Sequence, residues 1–182
     1  MQIITGKYRA RKLIGVDSSD TRPTLARVKE SVFNLIFDKI DGKVVLDLFA
    51  GSGSYGVECI SRGAAEVFFV DQTEKAIKTI KTNTQKMTEK FEIIKSSFTD
   101  ALLNFEKRNL KFDLVFLDPP YDSDYAFKSL EHLKNKNLLN IGATIVVEHK
   151  LANDLQNLPK CYIIKKSRKY GIAYIDILEF TE

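Results

Sequence analysis

From Asp41-Gly42 onward the chain alternates short apolar runs with segments of helical spacing, and that alternation limits the folds open to it. Strand-like runs fall at 44–49, 67–71, 91–95, 112–118, 144–148, 162–166 and 173–180. Helical segments at 55–62, 74–88, 99–107 and 123–136 fill most of the gaps. A run such as Phe112-Asp-Leu-Val-Phe-Leu117 is apolar almost throughout, the pattern of a strand buried on both faces. Such strands separated by helices predict an α/β fold: a mostly parallel, seven-stranded sheet covered on both sides. The last two runs have no clear helix between them, so an antiparallel hairpin is expected at one edge. Upstream, residues 2–5 and 8–13 are strand-like around Gly6-Lys7 and predict a small hairpin. Beyond a polar loop at 17–23, Leu25, Val28, Val32, Leu35 and Ile36 recur at helical spacing, with Thr24 as the expected N-cap.

A chain of 182 residues suits one domain, here an α/β core over 24–182 with residues 1–23 as an extension. No apolar stretch approaches the ~20 residues of a membrane span, and no signal-peptide core is present, so a cytoplasmic location is expected. Cys59 and Cys161 stand alone without metal or redox spacing, and no metal is expected. The net charge is +4, and its placement is uneven. Residues 1–30 hold seven basic side chains (Lys7, Arg9, Arg11, Lys12, Arg22, Arg27, Lys29) against three acids, while the remainder of the chain is balanced. A basic arm of this kind favours a polyanion, nucleic acid first among them.

Two segments carry chemistry. Asp47-Leu-Phe49-Ala-Gly51-Ser52-Gly53-Ser-Tyr-Gly56 follows the first strand of the alternating unit and opens a helix. Glycines there let the backbone approach a ligand, and ligands bind at the carboxyl ends of parallel strands. Gly51-x-Gly53-x-x-Gly56 with Asp71 twenty residues past Gly51 also matches the dinucleotide fingerprint. Asp47, within the last turn of the strand, would repel a pyrophosphate but suits an ammonium group. Asp71 suits a pair of ribose hydroxyls. Both acids suit S-adenosylmethionine, and Asp47, with a corner at the fourth strand's end for which a dehydrogenase has no use, counts against NAD. The second segment, Asp118-Pro119-Pro120-Tyr121, ends the fourth strand in a stiff corner, since each proline fixes its own φ and restricts the residue before it. Rigid acceptors beside an aromatic ring suit a flat heterocycle with an exocyclic amino group.

Asp-Pro-Pro-Tyr resembles motif IV of the amino-methyltransferases that act on adenine N6, cytosine N4 or guanine N2. The whole chain resembles the bacterial RsmD-type family of small-subunit (16S) ribosomal RNA guanine-N2 methyltransferases. Met1-Gln-Ile-Ile-Thr-Gly-Lys-Tyr-Arg-Ala-Arg-Lys-Leu13, Thr21-Arg-Pro-Thr24, the segment from Asp47 to Gly63 and Arg168-Lys-Tyr-Gly171 carry the likeness. It implies a Rossmann-like class I methyltransferase sheet with a reversed last strand, S-adenosylmethionine as cofactor, and one guanine of 16S RNA as substrate, presented on a partly or fully assembled particle. Asp118 and the Pro119 carbonyl would accept the two N–H bonds of guanine N2, with Pro120 stiffening the corner and Tyr121 stacking on the base. Many family members carry an acid just after the third strand. Here Ser97 and Phe98 stand there, so either Ser97 with backbone groups holds the adenine or Asp100 reaches back to it. Arg9, Arg11, Lys12, Arg22 and Arg27, with Thr24, are expected to meet the RNA. Two other readings remain: a DNA adenine-N6 methyltransferase, for which the chain leaves no room for a target-recognition domain, and a non-catalytic RNA-binding assembly protein. His149, at a strand end, reads as structural or solvent-facing rather than catalytic.

Overall fold

Seven strands join in one sheet: β1 (Val44–Leu48), β2 (Glu66–Asp71), β3 (Phe91–Lys95), β4 (Phe112–Leu117), β5 (Leu139–His149), β6 (Tyr162–Tyr170) and β7 (Ala173–Phe180). Five helices, α1 (Pro23–Leu35), α2 (Ser54–Ser61), α3 (Glu74–Thr84), α4 (Phe98–Lys107) and α5 (Tyr125–Asn135), cover it. This computed structural model describes residues 1–16, 23–120, 123–149, 155 and 157–182. The strand order is β3-β2-β1-β4-β5-β7-β6. Neighbours from β3 to β5 are parallel, and β7 runs against both β5 and β6, so β7 alone is reversed. The α/β class, the parallel sheet and the edge hairpin are as the alternation predicts.

Successive residues of each strand feed opposite faces. Leu46, Phe68, Val115 and Ile145 pack with Leu102 and Phe105 of α4 and Leu130 and Leu133 of α5. On the other face Val45, Val67, Leu114 and Val146 pack with Phe33 of α1, Val57 and Ile60 of α2 and Ile80 of α3. Both faces of the central strands are therefore dry, which accounts for their near-continuous hydrophobicity.

Five of the differences from the sequence reading have an evident physical cause. Helix α1 begins at Pro23, whose fixed φ suits a first helical position, so Thr24 lies inside the helix rather than capping it. Helix α3 stops at Thr84, not 88, because Asn83 spends its side chain on two loops and the chain turns at Thr84–Met87. Strand β5 starts at Leu139, which pairs with Phe112 ahead of a register shift. The polar Asn140 and the positive φ of Gly142 hide that start from a hydrophobicity pattern. Strand β6 extends to Tyr170 as an exposed edge, where its lysines and Arg168 need no apolar partner. The N-terminal hairpin reduces to a single antiparallel bridge between Gln2 and Lys12, with Ile3 and Leu13 buried against the core.

That N-terminal arm is held by α2. Gly6 has φ 90°, and a Cβ there would lie 1.8 Å from the Ser61 carbonyl oxygen, so only glycine lets the arm approach this closely. Ser61 accepts from the Lys7 N–H at its carbonyl and from the Tyr8 N–H at its hydroxyl, which itself donates to the Thr5 carbonyl. Next to it, the fully buried Glu58 carboxylate accepts from the Ile4 N–H (2.9 Å), the Thr5 N–H (3.0 Å) and Arg62 Nε (3.0 Å), and pairs with Lys29 Nζ of α1 at 3.0 Å. Lys29 therefore leaves the basic arm. Burial pulls its pKa below the ordinary value, with Glu58 acting in the opposite direction. Replacing Glu58 by Ala would strand a buried ammonium and two backbone donors. Glu58→Ala is expected to lose about 3–5 kcal/mol of stability, as for removing one partner of a buried pair; urea unfolding followed by circular dichroism measures this.

Candidate active site

Chain order reverses between β1 and β4, which lie side by side and end at the glycine loop and the Asp118 corner respectively. Ligands in open α/β sheets bind at such a switch point. A cavity of about 740 Å³ opens there, walled by Phe49 and Gly51, the β2 end at Asp71–Thr73, the β3 end at Ser96–Thr99, Asp118–Pro120, and Tyr125 and Lys128 of α5. A second cavity of about 210 Å³ shares Val16, Phe49, Gly51, Asp118 and Glu148 with it and extends toward Met1, Lys29 and Tyr55.

The loop is shaped by the acid at the end of β2. Asp71 Oδ2 accepts from the Gly51 N–H (2.9 Å), and its Oδ1 accepts from Thr73 N–H (2.8 Å) and Thr73 Oγ1 (2.9 Å). A carboxylate offers about four acceptor positions, so with three donors bound Asp71 keeps about one for a hydroxyl from the cavity. Gly56 is required by packing, since a Cβ would fall 2.2 Å from the Phe69 ring. Phe49 has φ 72°, a conformation costing a non-glycine residue on the order of 1–3 kcal/mol. Its ring lies 5.4 Å from Phe98 and 6.2 Å from Tyr125, near-parallel to the latter, so three rings form one apolar wall.

Asp47 takes a different place from the expected one. It is 3% exposed and accepts the Gly56 N–H at 2.9 Å, beneath the loop rather than on the cavity wall. Burial raises its pKa to about 7, with Asp71 adding to the rise and the Gly56 bond opposing it. Ser97 caps α4: its hydroxyl accepts from the Asp100 N–H (3.2 Å) and donates to the Asp100 carboxylate (2.7 Å). Asp100 is thereby turned toward the cap, and Ser96, Ser97, Phe98 and Thr99 line the cavity instead.

Asp118 opens into both cavities and is exposed there. Protein atoms crowded around its carboxylate, then the negative charges of Glu148 and Asp47, push its pKa above the usual carboxylate range. The register pairs Leu117 with Val147, which places Asp118 beside the buried Glu148. Pro119 is buried and Pro120 exposed, so the corner is anchored on one side only. Tyr121 lies outside the described residues.

A family model described as conserved hypothetical protein 95 matches residues 1–179. The chain belongs to that family, the RsmD family of methyltransferases. It is 36% identical to YlbH of Bacillus subtilis, a candidate rRNA methyltransferase, over 97% of each chain. It is also 36% identical to ribosomal RNA small subunit methyltransferase D of Haemophilus influenzae, over 95% of this chain and 90% of that one. The solved structure of HI0767, a candidate methylase from Haemophilus influenzae, has a TM-score of 0.83 and 33% identity, covering 100% of this chain and 99% of that one.

On this RsmD-family fold, Arg9, Lys12 and Arg27 are exposed, and Arg11 is half-buried over the Tyr8 ring. Arg22 lies outside the described residues, as does the Thr24 side chain. Lys7 pairs with Glu89 at 2.7 Å, so it joins Lys29 as a basic residue with an acidic partner. Tyr125, Glu148, Gln72 and Thr73 line the cavity, although the sequence motifs do not include them. Glu148 is legible as a charge in the apolar run Thr144-Ile-Val-Val-Glu148; Tyr125 carries no signal, because nothing in one helix tells which strand end it faces. His149, as expected, is structural: its Nε2 lies 2.9 Å from Asp176 Oδ2 in a buried pair. Among the described residues no helix is long and apolar enough to cross a membrane, and no cluster of His, Cys, Asp and Glu could hold a metal ion.

The raised pKa of Asp47 has a pH signature. The unfolded chain ionises it near 3.8 and the folded chain near 7, so between those values the unfolded state carries the charge more readily. Asp47 therefore lowers stability progressively from about pH 4 to pH 7 and by a constant amount above that. Asp47→Asn keeps an acceptor for the Gly56 N–H. Its Tm advantage over the parent, measured by scanning fluorimetry without added cofactor, should grow across that window and level off above it.

Proposed function

We propose that this chain transfers a methyl group from S-adenosylmethionine to the exocyclic N2 of a guanine in 16S ribosomal RNA, within a partly or fully assembled small subunit in the cytoplasm. The observation that carries the reading is Asp118, held at a rigid Pro-Pro corner and open to both cavities at the switch point of a methyltransferase sheet. Relatives in the family are named small-subunit rRNA methyltransferases, which supports the choice of RNA. We read residues 1–182 as a single methyltransferase domain with the arm as its extension.

The large cavity fits the cofactor by its chemistry. Asp71 stands where a ribose hydroxyl can donate to its remaining acceptor position, and Gly51 lines the wall with no side chain to block approach. The Phe49, Phe98 and Tyr125 rings offer an apolar wall for a purine. Ser52, Gly53 and Ser97 act through backbone shape, and Asp47 sustains the loop from below through Gly56. S-adenosylmethionine would supply an electrophilic methyl group.

Guanine N2 is a weak nucleophile because its lone pair is delocalised into the ring. Asp118 and the Pro119 carbonyl accepting its two N–H bonds favour a pyramidal nitrogen with the lone pair directed at the methyl carbon. The N–C bond then forms as the C–S bond breaks, its electrons passing to sulfur. A carboxylate held above its usual range is a better base than a surface aspartate, which suits Asp118 to take the proton the amine releases. Positioning and electrostatics supply most of the rate. The base must leave its stack, at roughly a few kcal/mol, and Tyr121 would stack on it afterwards.

Nuclease digestion and mass spectrometry of 16S RNA from a strain lacking this gene should show the loss of one N2-methylguanosine, restored by the wild-type gene. Asp118→Ala should cut turnover on subunits from that strain by about 10²–10³ while leaving S-adenosylmethionine affinity nearly unchanged. Unchanged turnover in that variant would remove Asp118 from the mechanism. The arm is testable separately: Arg9, Arg11 and Lys12 changed together to Ala should weaken RNA binding. The salt dependence should also flatten, by about 0.7–0.9 log units for each phosphate the variant no longer neutralises. Filter binding over a salt series measures both, and equal slopes would place the RNA elsewhere.

A further inference from the structure

Asn83 of α3 is 3% exposed, and its side chain makes three hydrogen bonds, all to other segments. Nδ2 donates to the Ile14 carbonyl (3.0 Å) and to the Ser52 carbonyl (2.9 Å), and Oδ1 accepts from the Ile14 N–H (3.0 Å). One amide therefore ties the end of the N-terminal arm, 69 residues away, to the glycine loop, 31 residues away. It holds Ile14 by both backbone groups, as a neighbouring strand would. Two residues on, Val16 walls both cavities beside Phe49 and Gly51. The arm that carries the exposed basic residues thus also closes the cofactor side of the site.

We propose that Asn83 is a positioning residue that couples RNA docking on the arm to S-adenosylmethionine binding at the glycine loop. This rests on the rRNA methyltransferase reading above. Asn83 lies too deep to touch RNA, and its contacts are with the walls rather than the cavity. It acts through Ile14 and Ser52. A buried amide leaves a bond unmade only at a cost, so the seated arm and the ordered loop favour one another. A ligand that selects either arrangement selects both, and linkage makes the effect equal in the two directions.

The test uses the full chain, radiolabelled S-adenosylhomocysteine and small ribosomal subunits from a strain lacking this gene. Equilibrium dialysis with and without saturating subunits, and filter binding of subunits with and without S-adenosylhomocysteine, give the coupling factor from both sides. For the wild type each ligand should tighten the other by the same factor, at least about fivefold. In Asn83→Ala both ligands should still bind singly, with the factor reduced to near one. Asn83→Leu keeps nearly the same volume without either bond and should uncouple in the same way, which guards against poor packing in the alanine variant. A coupling factor preserved in the variants, whatever their Tm, would make Asn83 merely structural and overturn the proposal. Wild-type binding of both ligands without coupling would overturn it alone, whereas subunits that fail to bind at all would overturn the RNA reading together with it.

Discussion

The buried carboxylate of Glu58 meets donors from three segments, and the placement of the arm and of α1 over the sheet follows from it. A charge with no access to water must be matched by partners of defined geometry, and here two backbone N–H groups, an ammonium and a guanidinium provide them. Arg62 adds a contact over the Phe33 ring at 4.7 Å, joining the charge network to the apolar face of α1. Lys29 and Met1, on the two segments so fixed, line the smaller cavity. The arm and α1 therefore reach that cavity on a framework fixed by this charge network.

The other side is governed by topology. Parallel strands deliver their carboxyl ends to one edge, so the residues that end β1, β2, β4 and β5 converge whatever their spacing in the chain. Asp47 and Glu148 are buried there and Asp118 opens beside them, and their negative charges make its ionisation harder. Asp71, bonded to Gly51 and Thr73, lines the larger cavity while also shaping the loop. The stability that this acidity and the strained Phe49 forgo is lost at the carboxyl edge of the sheet, beside the two cavities.

Much of this architecture is readable from the chain alone. Buried parallel strands repeat apolar residues without alternation, and a glycine loop and a Pro-Pro corner are local features with local causes. The departures are equally physical. The apolar pattern misses the start of β5 because Asn140 and Gly142 interrupt it, and overruns α3 because Asn83 is committed to distant loops. The nearness of Asp47 to the loop in sequence suggests a place on the cavity wall, yet one hydrogen bond to Gly56 and its burial put it underneath.

The amino-acid sequence by itself determined the α/β class, the order of the chemical segments and the family, because each depends on residues near one another in the chain. Tertiary structure alone decided which charges remain available. Lys29 and Lys7 look equivalent to Arg9 and Arg11 in sequence, but they meet Glu58 and Glu89, and Asp100 bonds to Ser97 at the helix cap rather than reaching into the cavity. The Lys29, Lys7, Ile4 and Asn83 pairings each close over dozens of residues. Such contacts depend on how the whole sheet brings its covering segments together, and no local pattern carries that information.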